Sequence, residues 1–391
     1  MPSSAAQGRT PAALPRLLLV GGGHTHVEVL RRFGERPPVA TLTLVTPERD
    51  AAYSGMLPGL VAGHYHEGET QIALAPLAAH ACAQVIRDRV TGLDLAARVA
   101  TLASGRTLAF DMASLDIGST PDASVPGARE HAIAVKPVPA FLASWARVRE
   151  EAAAGRVRAI AVVGGGAGGV EILLAMQWRL RAALDERAPR FALVTDQPQL
   201  LAQHSARVRR ALGAVLAARG VTLHLGCAAR AVEPGAVVVD GGQRIVADAI
   251  VWATSAAAAP WLRASGLAVD ARGFVCVDAH LRSLSHPFVF AAGDCATLAA
   301  RPHPKSGLYA VRHGPPLAQN LRAALAGGAL VAYRPQTRAL ALIATGGRDA
   351  ILSWGPFAAR GAWVWRWKDA IDRRFIARYA VPPDAPAGAA D

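Results

Sequence analysis

The glycines spaced as Gly21, Gly22, Gly23 and as Gly164, Gly166, Gly169 are the residues of this chain best suited to hold phosphate. Each set follows an apolar run, 17–20 and 160–163, and precedes a helix-like stretch, 27–33 and 170–183. In the spacing G-x-G-x-x-G the first glycine allows a tight strand-to-helix turn. The second lets the backbone approach a pyrophosphate, and the third lets helix and strand pack closely. The free N–H groups and dipole of the helix start then meet the phosphate charge. The second set is complete, but in the first His26 stands at the third glycine position. That should push the helix off its strand or demand a small neighbour. On this reading His24 borders the cofactor whose phosphates the first loop holds, and His26 packs.

A third signal, Phe288-Val289-Phe290-Ala291-Ala292-Gly293-Asp294, follows both loops. Asp294 at a strand end suits ribityl hydroxyls, and the backbone around Gly293 suits phosphate. A helix beginning near Ser306 would turn its positive end toward the pyrimidine side of the flavin. Two cradles closed in this way predict FAD and NAD(P)H held together, with hydride passing from nicotinamide to flavin. Lys305 either adds to that field or is a surface lysine. An acid on the ribose is expected at the end of each second strand. Thr46 and Thr195 stand there instead, with Glu48 and Asp196 next nearest. Those two either bind the riboses or are solvated loop acids. No arginine closely follows Asp196, which favours NADH over NADPH. Glu171, on the helix after the second loop, either assists proton movement to an acceptor or merely complements the helix dipole.

The elements that must position these residues follow one plan used twice. Second strands are predicted at Thr41–Val45 and 191–194. Hairpin-like stretches turn at Ser104-Gly105 and at Asp240-Gly241-Gly242. Asp111 and Asp248 then lead into further apolar strands. Such an internal repeat is more specific than either glycine loop alone. The proline-bearing segment 124–150 reads as the link between the units. Strands at 273–277 and 288–290 read as a return to the first unit. The expected division is 16–125 with 265–330 for FAD, 126–264 for NAD(P)H, and 331–380 as a C-terminal interface and acceptor segment. Disordered ends are expected at 1–15 and 381–391.

The 391 residues suffice for two or three domains. No apolar run reaches the roughly 18–20 residues of a membrane span, and 1–15 does not read as a signal peptide. The expectation is a cytoplasmic protein, or one peripheral on the inner face of the membrane. The net charge of +13 suits phosphorylated cofactors or other polyanions. Arginine and alanine are spread along the whole chain and no aromatic-and-basic motif appears, so no nucleic acid is expected. The four cysteines form no C-x-x-C pair, as a disulfide reductase's local dithiol would. His24/His26 and His64/His66 lack a carboxylate or cysteine to complete a set, so no metal is expected. Positions 363, 367, 371, 375 and 379 are Trp, Trp, Ile, Phe and Tyr, an apolar helical stripe. Arg366, Lys368, Arg373, Arg374 and Arg378 sit off it, with Asp369 and Asp372. This helix, spanning 363–379, suits an anionic membrane surface, or packs on the flavin domain or on a homodimer partner.

Together these residues resemble the pyridine nucleotide–disulfide oxidoreductase superfamily, in its type II NADH dehydrogenase-like branch. GGGHTHVEVLRRF, YSGMLPG, LDIGSTP, GGGAGGVEILLAMQWRL and WKDAIDRRF are similar to an oxidoreductase module often fused in front of selenide, water dikinase. The resemblance implies an α/β fold of tandem Rossmann-like FAD- and NAD(P)H-binding domains, glutathione reductase-like, with a small C-terminal segment. It implies FAD on Gly21, Gly23, Gly118, Gly293 and Asp294, and NAD(P)H on Gly164, Gly166 and Gly169. It places Tyr53-Ser54-Gly55 beside the flavin and Glu171 near nicotinamide and quinone. The activity implied is an FAD-dependent NAD(P)H oxidoreductase with a quinone-like acceptor. The alternatives are a flavin-dependent sulfur or selenium redox enzyme and a non-catalytic flavin-binding partner of selenophosphate synthesis.

Overall fold

A computed structural model describes residues 13–254, 256–336 and 339–381. Most of both ends predicted to be disordered falls outside these. Two parallel five-stranded sheets dominate. The first runs Val289–Ala291, Met112–Leu115, Arg16–Val20, Thr41–Val45, Ala83–Ile86. The second runs Ile133–Ala134, Ala249–Trp252, Ala159–Val163, Arg190–Thr195, Thr222–Leu225. In both, the strand that feeds the glycine loop is central and buried, as a parallel sheet covered on both faces requires. α1 (His24–Glu35) leaves the first of these strands.

The repeat extends to single hydrogen bonds. The amide of Arg16 donates to Asp111 Oδ2 at 2.7 Å, and that of Arg158 to Asp248 Oδ2 at 2.7 Å. Gly21 N donates to Val45 O and Gly164 N to Val194 O, both at 2.8 Å. The predicted hairpins are three-stranded meanders, 90–109 and 229–246, each with one register shift.

The segment read as a link is not one. α2 (Val138–Ala153) occupies most of it and buries Phe141, Trp145 and Val148 in the second unit's core. Pro137 is its N-cap and Pro139 lies in its first turn, where no N–H is needed. α3 (Ala167–Leu184) follows the second glycine loop. α4 (Gly307–Leu325) follows the Gly-Asp element and packs on α1. The chain then forms an antiparallel sheet, Ala341–Ala344, Ala350–Trp354 and Phe357–Gly361. α5 (Ala362–Ala377) closes the fold. Ile343 and Ile351 pack into the second core, whereas Phe375 and Tyr379 pack into the first.

Glu28 on α1 fixes that last contact. It is 2% exposed and accepts from Arg31 at 3.0 Å, Arg32 at 2.6 Å and the Tyr379 hydroxyl at 3.0 Å. Burial alone would raise its pKa, but the bonds from Arg31 and Arg32 hold it below the ordinary value. Glu28→Ala should therefore cost about 2 kcal/mol in urea unfolding at neutral pH, by leaving the buried Tyr379 hydroxyl unpaired and taking the acceptor from Arg31 and Arg32. A group with a depressed folded pKa stabilises above its unfolded pKa, about 4.3 for Glu. That stability is lost as pH falls through the folded value, so the gap between wild type and variant should narrow below about pH 4.

Candidate functional site

The first cradle is built on the turn after Arg16–Val20. Gly21 adopts φ +91° and Gly164 φ +134°, backbone that favours glycine. In the second cradle a Cβ on Gly169 would collide with the Gly164 carbonyl oxygen. At the matching position His26 solves the same problem differently. Its Nδ1 lies 2.7 Å from Gly21 O and its Nε2 2.8 Å from Ser114 Oγ. Because Gly21 O can only accept, Nδ1–H donates and Nε2 accepts from Ser114. Burial pushes the imidazole down to about 4 against the bond to Gly21, so the ring is neutral. His26 packs, and its bonds tie the helix to the glycine turn and to the neighbouring strand.

The ribose-acid departures have a local reason. Thr46 and Thr195 are buried beneath the loops. Their Oγ1 atoms lie 3.2 Å from a Cβ placed on Gly22 and 2.7 Å from one on Gly165. Thr46 Oγ1 donates to Glu48 at 3.0 Å, and Thr195 Oγ1 to Asp196 at 3.5 Å. Both acids thus stand just past a strand end, Glu48 two residues after its threonine and Asp196 one residue after.

Asp116, unnoticed in the sequence, lies at the centre of the first cradle. Its carbonyl accepts from Gly23 N at 3.2 Å and its Oδ2 from His26 N at 2.9 Å. A Cβ on Gly23 would lie 2.5 Å from its carboxyl group. Burial raises its pKa to about 7, against bonds from the His26 and Thr25 amides. The available signal was the repeat: Asp116 ends a strand whose counterpart ends before Ala253.

Asp294 accepts from Lys136 Nζ at 3.0 Å and Ser119 Oγ at 3.3 Å. Gly293, at φ +64°, donates its amide to His313 Nδ1 at 3.0 Å. Gly118, at φ +67°, has open space on its Cβ side. His24 Nε2 is buried without a partner, and its ring meets Tyr53 at 5.5 Å and Phe375 at 6.0 Å. Tyr53 stacks on Phe375 at 4.3 Å. Ser54 faces the start of α4 at Gly307. Lys305 is not a free surface lysine. It is half-buried over Phe274, with Nζ on the Ala296 carbonyl and on Thr297 Oγ1 at 2.9 Å. His64 Nε2 is 2.8 Å from Gly346 O, far from the use of the His24/His26 pair.

In the second cradle nothing lies within 4 Å of a Cβ on Gly166 or Gly168, and no side chain caps the start of α3. One turn in, Glu171 Oε1 accepts from Ala344 N at 2.8 Å. Burial pushes its carboxyl up to about 7, opposed by the charge of Lys368. Lys368 does not join the outer basic face as expected. It is partly buried, with Nζ 2.6 Å from Gly55 O and 2.6 Å from Asp372 Oδ2. The aromatic stripe also divides. Trp363 and Trp367 are 49% and 42% exposed, whereas Phe375 and Tyr379 are 8% and 4% exposed. Among the described residues no helix is long and apolar enough to cross a membrane.

Two parallel sheets, each with its own glycine cradle, define a tandem Rossmann-like α/β protein. The chain belongs to the pyridine nucleotide-disulphide oxidoreductase family, whose profile matches residues 15–321. It is 28% identical over 236 residues to an NADH dehydrogenase-like protein of Mycobacterium tuberculosis, covering 58% of each chain. The match thus spans under two thirds of that relative's length. It is 24% identical to an NADH dehydrogenase-like protein of Bacillus subtilis, covering 86% of this chain and 91% of that one. Solved structures show the same fold. The sulfide:quinone oxidoreductase of Aquifex aeolicus gives a TM-score of 0.80 at 17% identity, over 93% of this chain and 91% of that one. NDH2 of Plasmodium falciparum, in complex with NADH, gives 0.79 at 12% identity, over 93% and 97%. The expected tandem α/β oxidoreductase architecture of NADH dehydrogenase-like type is what is found.

Proposed function

We propose that this chain is an FAD-dependent NAD(P)H oxidoreductase that delivers electrons to a quinone-like acceptor. The observation that carries the reading is the placement of Glu171. It sits one turn into the second cradle's helix, against the strand of the C-terminal segment and within the field of Lys368.

The residues fit both groups. The second cradle has an uncapped helix start and open glycine faces for the NAD(P)H pyrophosphate. The first has the open face at Gly118 and the unpartnered His24 Nε2 for FAD. Bound FAD would supply a two-electron relay between nicotinamide and acceptor. The chain does the rest. Gly21, Gly23, Gly164, Gly166 and Gly169 seat phosphates, and Glu48 and Asp196 lie where the riboses would reach. Asp294 orients the ribityl chain, and Ser54 lines the flavin edge. Glu171 holds a proton for the acceptor side, and Phe375 and Tyr53 exclude water beside His24. Residues 16–125 with 265–330 would carry FAD, 126–264 NAD(P)H, and 331–380 the acceptor.

The exposed aromatics Trp354, Phe357, Trp363 and Trp367 support peripheral contact of this segment with an anionic membrane surface, from which a quinone would enter. A sulfur mechanism is disfavoured by the thiols. Cys295 is buried, its Sγ directed at the Leu115 and Ala292 carbonyls, and burial pushes it up to about 12.

The test is anaerobic mixing of purified full chain with NADH or NADPH, then with a soluble quinone. Flavin should be reduced by one or both nicotinamides and reoxidised by quinone. Alkylation of accessible thiols should leave turnover unchanged. Absence of FAD, or FAD that neither nicotinamide reduces, would overturn the reading.

A further inference from the structure

The two cradles differ at one decisive position. A Cβ on Gly21 would collide with the Asp116 carbonyl oxygen, and one on Gly164 with that of Ala253. Asp116 and Ala253 are therefore counterparts. The methyl of Ala253 leaves the start of α3 open, with nothing within 4 Å of a Cβ on Gly166. Asp116 instead turns its carboxyl under the start of α1, where His26 N donates to it at 2.9 Å. The same carboxyl lies against both Gly23 and Gly293. One acid thus already stands where the loop and helix dipole would draw a phosphate.

The groups facing it offer no charge to neutralise it. From α1 come the Thr25 and His26 amides, and the His26 ring is neutral with both nitrogens engaged. From the Gly-Asp element come the like charge of Asp294 and the buried thiol of Cys295. From α4 comes His313, held neutral by burial, with Nδ1 on Gly293 N. Lys136 is paired with Asp294 instead.

We propose that Asp116 is a proton-linked gate on the first cradle: the flavin dinucleotide's pyrophosphate seats with Asp116 protonated, and ionised Asp116 weakens its hold. This rests on the FAD assignment above. The balance is simple, since binding takes up one proton from solvent and no bond to the ligand forms. A bound pyrophosphate makes the carboxyl keep its proton to higher pH than in the free chain. Affinity is then complete below the free group's pKa and falls about tenfold per pH unit above it. Burial sets that free value at about 7, so the loss begins near neutrality.

The experiment is titration of the flavin-stripped full chain with FAD, followed by flavin fluorescence, from about pH 6 to pH 9. Wild type should bind about fivefold more weakly at pH 8 than at pH 7, and about tenfold more weakly again at pH 9. Asp116→Asn, equal in volume and still able to accept from His26 N, should give a flat profile and bind at least about tenfold more tightly than wild type at pH 8.5. Asp116→Ala copies the second cradle and should follow the Asn variant. Parallel profiles for wild type and Asn, or weaker binding by Asn at every pH, would overturn the gate and leave the FAD assignment standing. Failure of the natively folded wild type to bind FAD at any pH would remove both.

Discussion

Gly169→Val is expected to abolish reduction by NAD(P)H while FAD stays bound. A side chain there meets the Gly164 carbonyl oxygen, which is backbone and cannot swing aside. α3 must retreat from Ala159–Val163, carrying the amides that would face the pyrophosphate. Overpacking of this kind costs about 1–3 kcal/mol, which a folded chain of this size survives. A displacement of about 1 Å at a binding cradle can cost about a hundredfold in rate. Anaerobic stopped-flow should therefore show the reduction constant falling by at least about a hundredfold, with FAD content of the purified protein unchanged. The first repeat tolerates a side chain at this point only because His26 bonds to Gly21 O and Ser114, which valine cannot do. Wild-type reduction kinetics in the variant would show that the second cradle does not hold the nicotinamide.

Glu171→Gln should separate the two halves of the reaction. Removing a proton-handling group costs about 10²–10⁴ in the step it serves. Turnover with quinone should fall about a hundredfold or more, whereas flavin reduction by NADH should barely change. In wild type burial pushes the Glu171 carboxyl up to about 7, protonated below and ionised above. If it delivers a proton, quinone turnover declines as pH rises past that value, and the Gln variant loses the bend. Lys368→Met supplies a control. The Lys368 charge lowers the Glu171 pKa, so its removal should move the bend to higher pH. A Gln variant with wild-type quinone turnover would reduce Glu171 to a bond for Ala344.

Much of the frame was legible because it rests on backbone requirements. Glycine loops, the Gly-Asp element and the aspartates after each hairpin report local geometry, and all recur in the structure. What was not legible depends on packing. α2 was read as a link because its prolines fall at the one helix end that tolerates them. Asp116 lay unmarked in an apolar run, since one acid says nothing until its neighbours are known. The C-terminal stripe misled for a geometric reason. Residues four apart drift by about 40° per step on a helix, so positions 363 and 379 point about 160° apart. The tryptophans therefore face out while Phe375 and Tyr379 face in, and Lys368 rotates inward to Asp372. Among the described residues, the last two strands of the C-terminal sheet turn on Gly355-Pro356, a signal that was present and unread.

The C-terminal segment grips both halves at once. Tyr379 is anchored to Glu28 in one, and Ile343 is sunk in the other with Ala344 bonded to Glu171. Hinging of the halves would have to tear one of these attachments. The spacing between the two glycine cradles is thus kept at constant gauge, like a clamp already tightened.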